Sequence, residues 1–316
     1  MAPSILEPST YRSGFVGIVG RPNVGKSTLL NFYLGEKLAI VSPRPQTTRH
    51  RILGVLTRED AQVTFLDTPG FHKPEHALGR YMLEVVKAVF DEADVLVTMI
   101  DASRGITEED ERVFEQVKQA LRRAGPGEGK RHALLAINKV DRVKKPRLLP
   151  LIESCAKRQI FSECVPISAL AGEQMGVLLE RIIASLPEGP RWYEPQQRTD
   201  QTTTQLVSEL IREQALLATR EEVPHAIGVM VEQLEESERL VSIQATIIVE
   251  RGGQKAIVIG RGGAMLKQIG QAARREIERL LGRKVYLGLW VKVIERWRED
   301  ERALRQLGYA GMAGTS

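Results

Sequence analysis

Between residue 15 and about residue 186, short apolar runs alternate with longer stretches whose apolar residues recur at helical spacing. This is the pattern of βαβ units around a mostly parallel sheet with helices on both faces. The runs at 15–19, 62–66, 95–100, 133–137 and 165–167 predict five buried strands, and 28–34 predicts a helix behind the first. Residues 186–201, with Pro187, Gly189, Pro190 and Pro195 among polar neighbours, break both periodicities and read as a linker. Beyond it the order changes. A helical stretch at about 204–218 precedes two β-rich runs at 226–231 and 240–250, a Gly-rich helical stretch, and a last run at 285–294. The expected organisation is a polar tail (1–13), a doubly wound α/β domain (14–186), a linker (187–201), and an α+β domain with a C-terminal tail (202–316).

Composition adds little to that division. With 316 residues, 42% hydrophobic and 27% charged, the chain matches soluble globular proteins and has enough length for two cores. The polar start lacks the basic end and apolar centre of a signal peptide, and the apolar runs are far shorter than the ~20 residues that cross a bilayer. A cytoplasmic location is expected. Cys155 and Cys164, the only cysteines, lack ligand spacing and read as two thiols. The net charge of +5 is mild, but its distribution is not. Residues 251–298 hold 12 Lys or Arg against 3 Glu, whereas 221–250 hold 1 Arg against 7 Glu. Such asymmetry implies a basic face suited to nucleic acid and an acidic counterface.

Candidate chemistry begins at the end of the first predicted strand. Gly20, Arg21, Pro22, Asn23, Val24, Gly25, Lys26 and Ser27 form a G-x-x-x-x-G-K-S loop that opens a helix at Thr28. Its glycines let the backbone wrap phosphate, and the helix end faces the anion. Lys26 reaches the β and γ phosphates, and Ser27 offers a hydroxyl to Mg²⁺. Asp67-Thr68-Pro69-Gly70 ends the second strand, where Asp67 can hold a Mg²⁺-bound water and the Gly70 amide can meet the γ phosphate. A plain turn also uses these residue types. Asn138-Lys139-Val140-Asp141 follows the fourth strand. Asp141 can accept from two guanine N–H groups that adenine does not offer, with Asn138 and Lys139 bracing the loop and stacking along the ring. Ser168-Ala169-Leu170 follows the last strand and can present the Ala169 amide to guanine O6, although an ordinary helix cap would look the same.

In this order the motifs resemble the translation-factor-related family of small P-loop GTPases over roughly residues 14–186. The resemblance implies GTP hydrolysis with Mg²⁺, with Lys26, Thr48 and Gly70 carrying the catalytic contacts. It implies a threonine between the first two motifs that completes the Mg²⁺ shell; Thr48 takes that role by its place before Arg49, and Thr47 stays open as the alternative. Phe71 stands where many signalling relatives carry a water-orienting glutamine. In the subgroup with an apolar residue there, an asparagine at the position of Asn23 helps hold a K⁺ ion; loop hydrogen bonding alone is the other reading. His72 reads as a solvated loop histidine rather than a general base.

The second domain contains Gly260-Arg261-Gly262-Gly263 between two apolar helical segments, followed by Lys267. A Gly-x-x-Gly loop with a basic residue clamps about four nucleotides of single-stranded backbone, although Gly-Arg-Gly-Gly also suits an ordinary turn. The order helix, two strands, helix, Gly loop, helix, strand resembles the type II KH fold. The pairing of the two domains, together with residues 46–51, 249–263 and the tail through Tyr309, resembles the Era family of bacterial GTPases. That resemblance implies partners in the 3′ end of small-subunit ribosomal RNA and the 30S precursor, peripheral association with the inner membrane, and a monomer. The alternative is a constitutive RNA-binding module with no coupling to nucleotide. Residues 124–129 and 310–316 suggest no role.

Overall fold

A computed structural model describes residues 11–44, 46–71, 74–123 and 131–309. The expectations for residues 1–10, His72, 124–129 and 310–316 lie outside them. The chain divides into two compact units, but not at one point: 1–38, 51–72 and 85–200 form the first, and 39–50, 73–84 and 201–316 form the second.

The first unit is built on β1 (Arg12–Val19), α1 (Lys26–Leu34), β2 (Ile52–Thr57) and β3 (Ala61–Asp67). Its remaining elements begin with the C-terminal half of α2 (Ala77–Glu92), which the division crosses, followed by β4 (Val95–Asp101), α3 (Glu108–Arg123), β5 (His132–Asn138), α4 (Lys145–Ala156), β6 (Glu163–Pro166) and α5 (Met175–Ser185). The sheet order is β2-β3-β1-β4-β5-β6, parallel except for β2. Because β3 and β4 lie on opposite sides of β1, the order reverses at the carboxyl end of β1, the place where open α/β sheets bind ligands. β4 is buried at every position, as expected for a parallel strand covered on both faces.

Three sequence expectations change here. β2 is a sixth strand that pairs antiparallel to β3; Gly54 and Thr57 dilute its apolar pattern. β1 begins at Arg12, inside the expected tail, because Arg12 pairs with Ala61 across the sheet. The expected linker is packed onto the first unit as far as Asp200. The Ser13 amide donates to the Pro187 carbonyl (3.1 Å) and the Gly189 amide to Tyr11 (3.0 Å). Gln62 holds the Trp192 and Tyr193 amides at 2.8 and 2.9 Å. On β2, an edge strand, Val55 N–H donates to the Arg198 carbonyl (2.8 Å), so polar backbone that cannot pair with itself caps an otherwise open edge.

The second unit packs α6 (Thr203–Ala218), α7 (Gly252–Ile259) and α8 (Ala264–Leu281) with β7 (Gly228–Glu236), β8 (Leu240–Val249) and β9 (Lys284–Val293). α6 starts at a capping box in which Thr202 and Gln205 satisfy each other's backbone. β8 is central, antiparallel to β7 and parallel to β9. The core is Val207, Ile211, Ile243, Ile247, Ile269 and Ile277 with their neighbours. A second cluster joins Leu78, Met82, Ile248, Trp297, Leu304 and Tyr309, so residues from the α/β part of the sequence and the C-terminal α9 (Glu301–Gln306) complete this unit.

Candidate nucleotide site and RNA-binding loop

The phosphate loop is shaped by positions that only glycine tolerates. Gly20 has φ +155°, and a Cβ there would lie 2.6 Å from the Met99 carbonyl oxygen; Gly25 has φ +106°, and a Cβ would lie 2.3 Å from the Asn138 side chain. Gly25 is the N-cap of α1, so the loop delivers the unpaired amides of the first helical turn to one point. Lys26 is buried, and its ammonium donates to the Gly20 and Arg21 carbonyls, both at 3.1 Å. Burial lowers its pKa to about 8, with Asp67 opposing the shift. A phosphate arriving there would favour the charged form further.

Ser27 Oγ donates to Asp67 Oδ2 at 2.7 Å, which gathers two hard oxygen donors beside the helix end. That donor set fits Mg²⁺, which takes few protein ligands and fills its octahedron with phosphate oxygens and water. Thr68 Oγ1 donates to the Ile18 carbonyl (2.9 Å), fixing the motif to β1. A Cβ on Gly70 would sit 2.6–2.7 Å from Pro22, so the glycine is what lets the two motifs touch. The Phe71 amide then donates to the Gly20 carbonyl at 3.2 Å.

The guanine-reading motifs are tied to this loop and to each other. Asn138 donates to the Val24 carbonyl (2.7 Å) and accepts from the Ala169 amide (2.9 Å). Lys139, at φ +66°, donates to the Asn23 carbonyl and to Asp101, both at 2.7 Å. Burial pushes the Asp101 carboxyl up, but hydrogen bonds from Lys139 and Ser103 outweigh it and hold the pKa low. Ser168 Oγ donates to Asp141 Oδ1 at 2.6 Å, orienting the carboxylate expected to read the base. Leu170 is exposed.

Two contacts at these motifs were not expected. The Ala169 amide donates to Asn138 Oδ1 at 2.9 Å, which locks two loops together. Arg21 turns away from the loop's concave side and forms a buried ion pair with Asp110 at 3.2 Å, which braces the loop against the first turn of α3. Asp101 and Asp110 were missed. Asp101 had a signal, a charge ending an apolar parallel strand, whereas Asp110 resembles any acidic residue in a first helical turn.

The expected Mg²⁺ threonine lies in the second unit. Thr48 is buried there, and the Thr47 hydroxyl is spent on the Arg44 carbonyl at 2.7 Å. Arg49, wholly buried, donates to the carbonyls of Ile227 (2.7 Å) and His225 (3.2 Å) and lies over the Trp297 ring. Arg212 donates to the Thr47 carbonyl, and Glu213 accepts from the Val41 amide (2.9 Å). Segment 39–50 is thus fastened to α6 and to the sheet of the KH-like unit.

The RNA loop has a different character. Gly260, Gly262 and Gly263 all have positive φ (73°, 59° and 79°), which turns the chain between α7 and α8. Arg261 and Lys267 are exposed and form no ion pair among the described residues. The two cysteines are free thiols, Cys155 raised to about 11 by burial.

Comparison with known proteins finds relatives of both domains. The family of 50S ribosome-binding GTPases matches residues 15–139, and the KH domain family matches 222–298. A crystal structure of Era in complex with MgGDPNP and nucleotides 1506–1542 of 16S ribosomal RNA is 41% identical, covers 95% of this chain and 99% of its own, and superimposes with a TM-score of 0.89. An Era variant from Aquifex aeolicus bound to GDP·AlF4⁻ gives the same identity, coverage and score.

Proposed function

The chain belongs to the Era family of GTPases, and from that premise we propose that it is a GTP-driven RNA-binding switch in small (30S) ribosomal subunit assembly. Its KH domain holds the 3′ end of the small-subunit ribosomal RNA, and its nucleotide state sets how tightly. The observation that carries this reading is the anchoring of segment 39–50. The stretch containing Thr48 is fastened by Arg49, Arg212 and Glu213 to the unit that carries the Gly-x-x-Gly loop. A nucleotide whose γ phosphate engages Thr48 acts on those anchors, and one without it does not. That difference in affinity between states is what coupling requires.

For the hydrolysis itself, Ser27 and Thr48 would hold Mg²⁺ directly and Asp67 through water. Bound Mg²⁺ neutralises charge that spreads over the phosphate oxygens as the γ group departs. Lys26 adds a fixed positive charge, and the Gly70 amide positions the γ phosphate. Phe71 cannot orient a water, which leaves the remaining charge compensation to a monovalent ion; Asn23 is its candidate ligand. Turnover should be faster in K⁺ than in Na⁺, and Asn23→Ala should erase the difference. Equal rates for the unaltered protein in the two salts would remove the ion from the scheme.

The protein acts as a monomer in the cytoplasm, with peripheral contact to the inner membrane; no helix among the described residues is long and apolar enough to cross one. The decisive test is affinity for a short single-stranded RNA from the ribosomal 3′ end, at fixed salt, with a GTP analogue, with GDP and with neither. Tighter binding with the analogue supports the switch. Equal affinities favour an uncoupled RNA-binding module.

A further inference from the structure

The sheet of the second unit has two faces. Val285 and Val291 on β9 point into the core under the helices, while Lys284, Tyr286, Gly288, Trp290 and Lys292 alternate onto the opposite face. At one end that outer face is covered, by Leu78, Met82 and Trp297 packed on Ile248 and Met230. Beyond Thr246, itself buried, the face is open: Trp290 is 53% exposed, Tyr286 57% and Leu240 43%.

The open part is shaped. Gly288 sits between the two aromatics, and a Cβ there would lie 2.9 Å from the Trp290 ring and 2.2 Å from Gln244 Oε1. The six-membered ring of the indole therefore lies over the glycine, and about half of the side chain stays open to solvent. Beside it Trp290, Gln244, Thr246, Gln233 and Glu232 line a hollow of about 440 Å³. Its inner wall is rich in acceptors. Glu232 is oriented by a 2.8 Å hydrogen bond from Thr246, and the buried Gln244 amide oxygen accepts no hydrogen bond among the described residues. The outer wall, strand β9 at the sheet's edge, carries the two lysines.

We propose that this open sheet face is a second single-stranded RNA site, separate from the Gly-x-x-Gly loop, in which Trp290 stacks an unpaired guanine whose N–H edge meets Glu232. The charge layout chooses this occupant. A guanine turns donors toward an acceptor-lined hollow while its phosphates stay on the side of Lys284 and Lys292, away from the glutamates of β7. Tyr286, on the same face and four residues from Trp290, offers a platform to a neighbouring base. Stacking of this kind tolerates any base, so the preference for guanine comes from Glu232.

The inference extends the RNA-binding reading, and the test keeps the two apart. The full-length protein and an Arg261→Glu variant, whose loop repels phosphate, are titrated with a uridine hexamer carrying one central guanosine and with plain hexauridine. The backbone amide resonances and the Trp290 indole N–H resonance are followed, the latter identified by its loss in Trp290→Phe. The expected result is that the guanosine oligomer shifts that resonance in both proteins. In the Arg261→Glu background Trp290→Ala should weaken binding at least about fivefold, Trp290→Phe should keep most of it, and Glu232→Gln should narrow the preference for guanosine over uridine. Should Trp290→Ala fail to fold, the Phe and Gln variants still decide. Shifts confined to the Gly-x-x-Gly loop overturn the second site and leave the KH reading standing; shifts nowhere overturn both. A Trp290 signal that answers hexa-arginine but not RNA overturns it in favour of a basic protein partner.

Discussion

The nucleotide site and the Gly-x-x-Gly loop both use glycine to bring backbone close to phosphate, yet they are held in opposite ways. In the first, side chains from every motif bond to another motif: Asn138 to Val24 and Ala169, Lys139 to Asn23 and Asp101, Ser168 to Asp141, Arg21 to Asp110. The phosphate and base pockets are cross-braced by the protein's own side chains, which confers selectivity because a wrong base leaves oriented polar groups unpaired. In the second, Arg261 and Lys267 point outward with no such bracing, and specificity has to come from the surfaces around the loop. A small ligand of one kind is met by a rigid frame, and a flexible polymer by an open one.

The sharpest way to break that contrast is at Asp141. Asp141→Asn exchanges an acceptor for a donor inside a fixed frame, and discrimination in favour of guanine should fall by about 10⁴-fold, measured as the ratio of GTP to XTP affinity. If the ratio stays put, the base is not read by this carboxylate. A smaller effect is expected at the open site. Arg261→Glu should weaken RNA binding roughly uniformly across sequences and lower the salt dependence of log affinity by at least about one, with GTP affinity unchanged. A sequence-dependent loss would mean that Arg261 reads bases, and the contrast between the sites would shrink.

The smallest effect concerns the anchored segment between them in sequence. His50 stacks on Tyr309 at 4.5 Å, and its Nδ1 lies 3.2 Å from the Tyr81 hydroxyl. Burial lowers its pKa to about 4, with Arg212 and Arg49 reinforcing and Glu209 opposing the shift. Since the folded value lies below the unfolded ~6.5, the unfolded chain binds more protons in this window, so stability falls as pH drops from about 6.5 toward 4. Part of the ring is solvent-accessible, so the expected loss is about 1–2 kcal/mol. Denaturant unfolding at pH 7 and pH 4.5, compared with His50→Gln, measures it. An unchanged pH dependence in the variant would place the titration elsewhere.

Legibility in the sequence followed the range of the interactions. The phosphate loop, the guanine carboxylate and the Gly-x-x-Gly turn were readable because each is a run of contiguous residues whose types are demanded by local backbone geometry or by one ligand. β4 and β5 were readable because burial on both faces leaves a nearly unbroken apolar run. β2 was missed because Gly54 and Thr57 interrupt its apolar run, and the strap through 187–200 was read as free linker because proline and glycine look alike in a loop that packs and in one that does not.

Local chemistry along the chain thus pointed to GTP and a nucleic-acid backbone as the ligands, since the groups expected to meet phosphate and base lie within a few residues of one another. The fold alone decided the rest. It turned Arg21 onto Asp110, spent the Ala169 amide on Asn138, gave segment 39–50 to the KH-like unit through Arg49 and Arg212, and laid Trp290 across Gly288 on an open face. Each of these depends on residues tens to hundreds of positions apart or on which side of a sheet is left bare, and neither is encoded in any short stretch of the sequence.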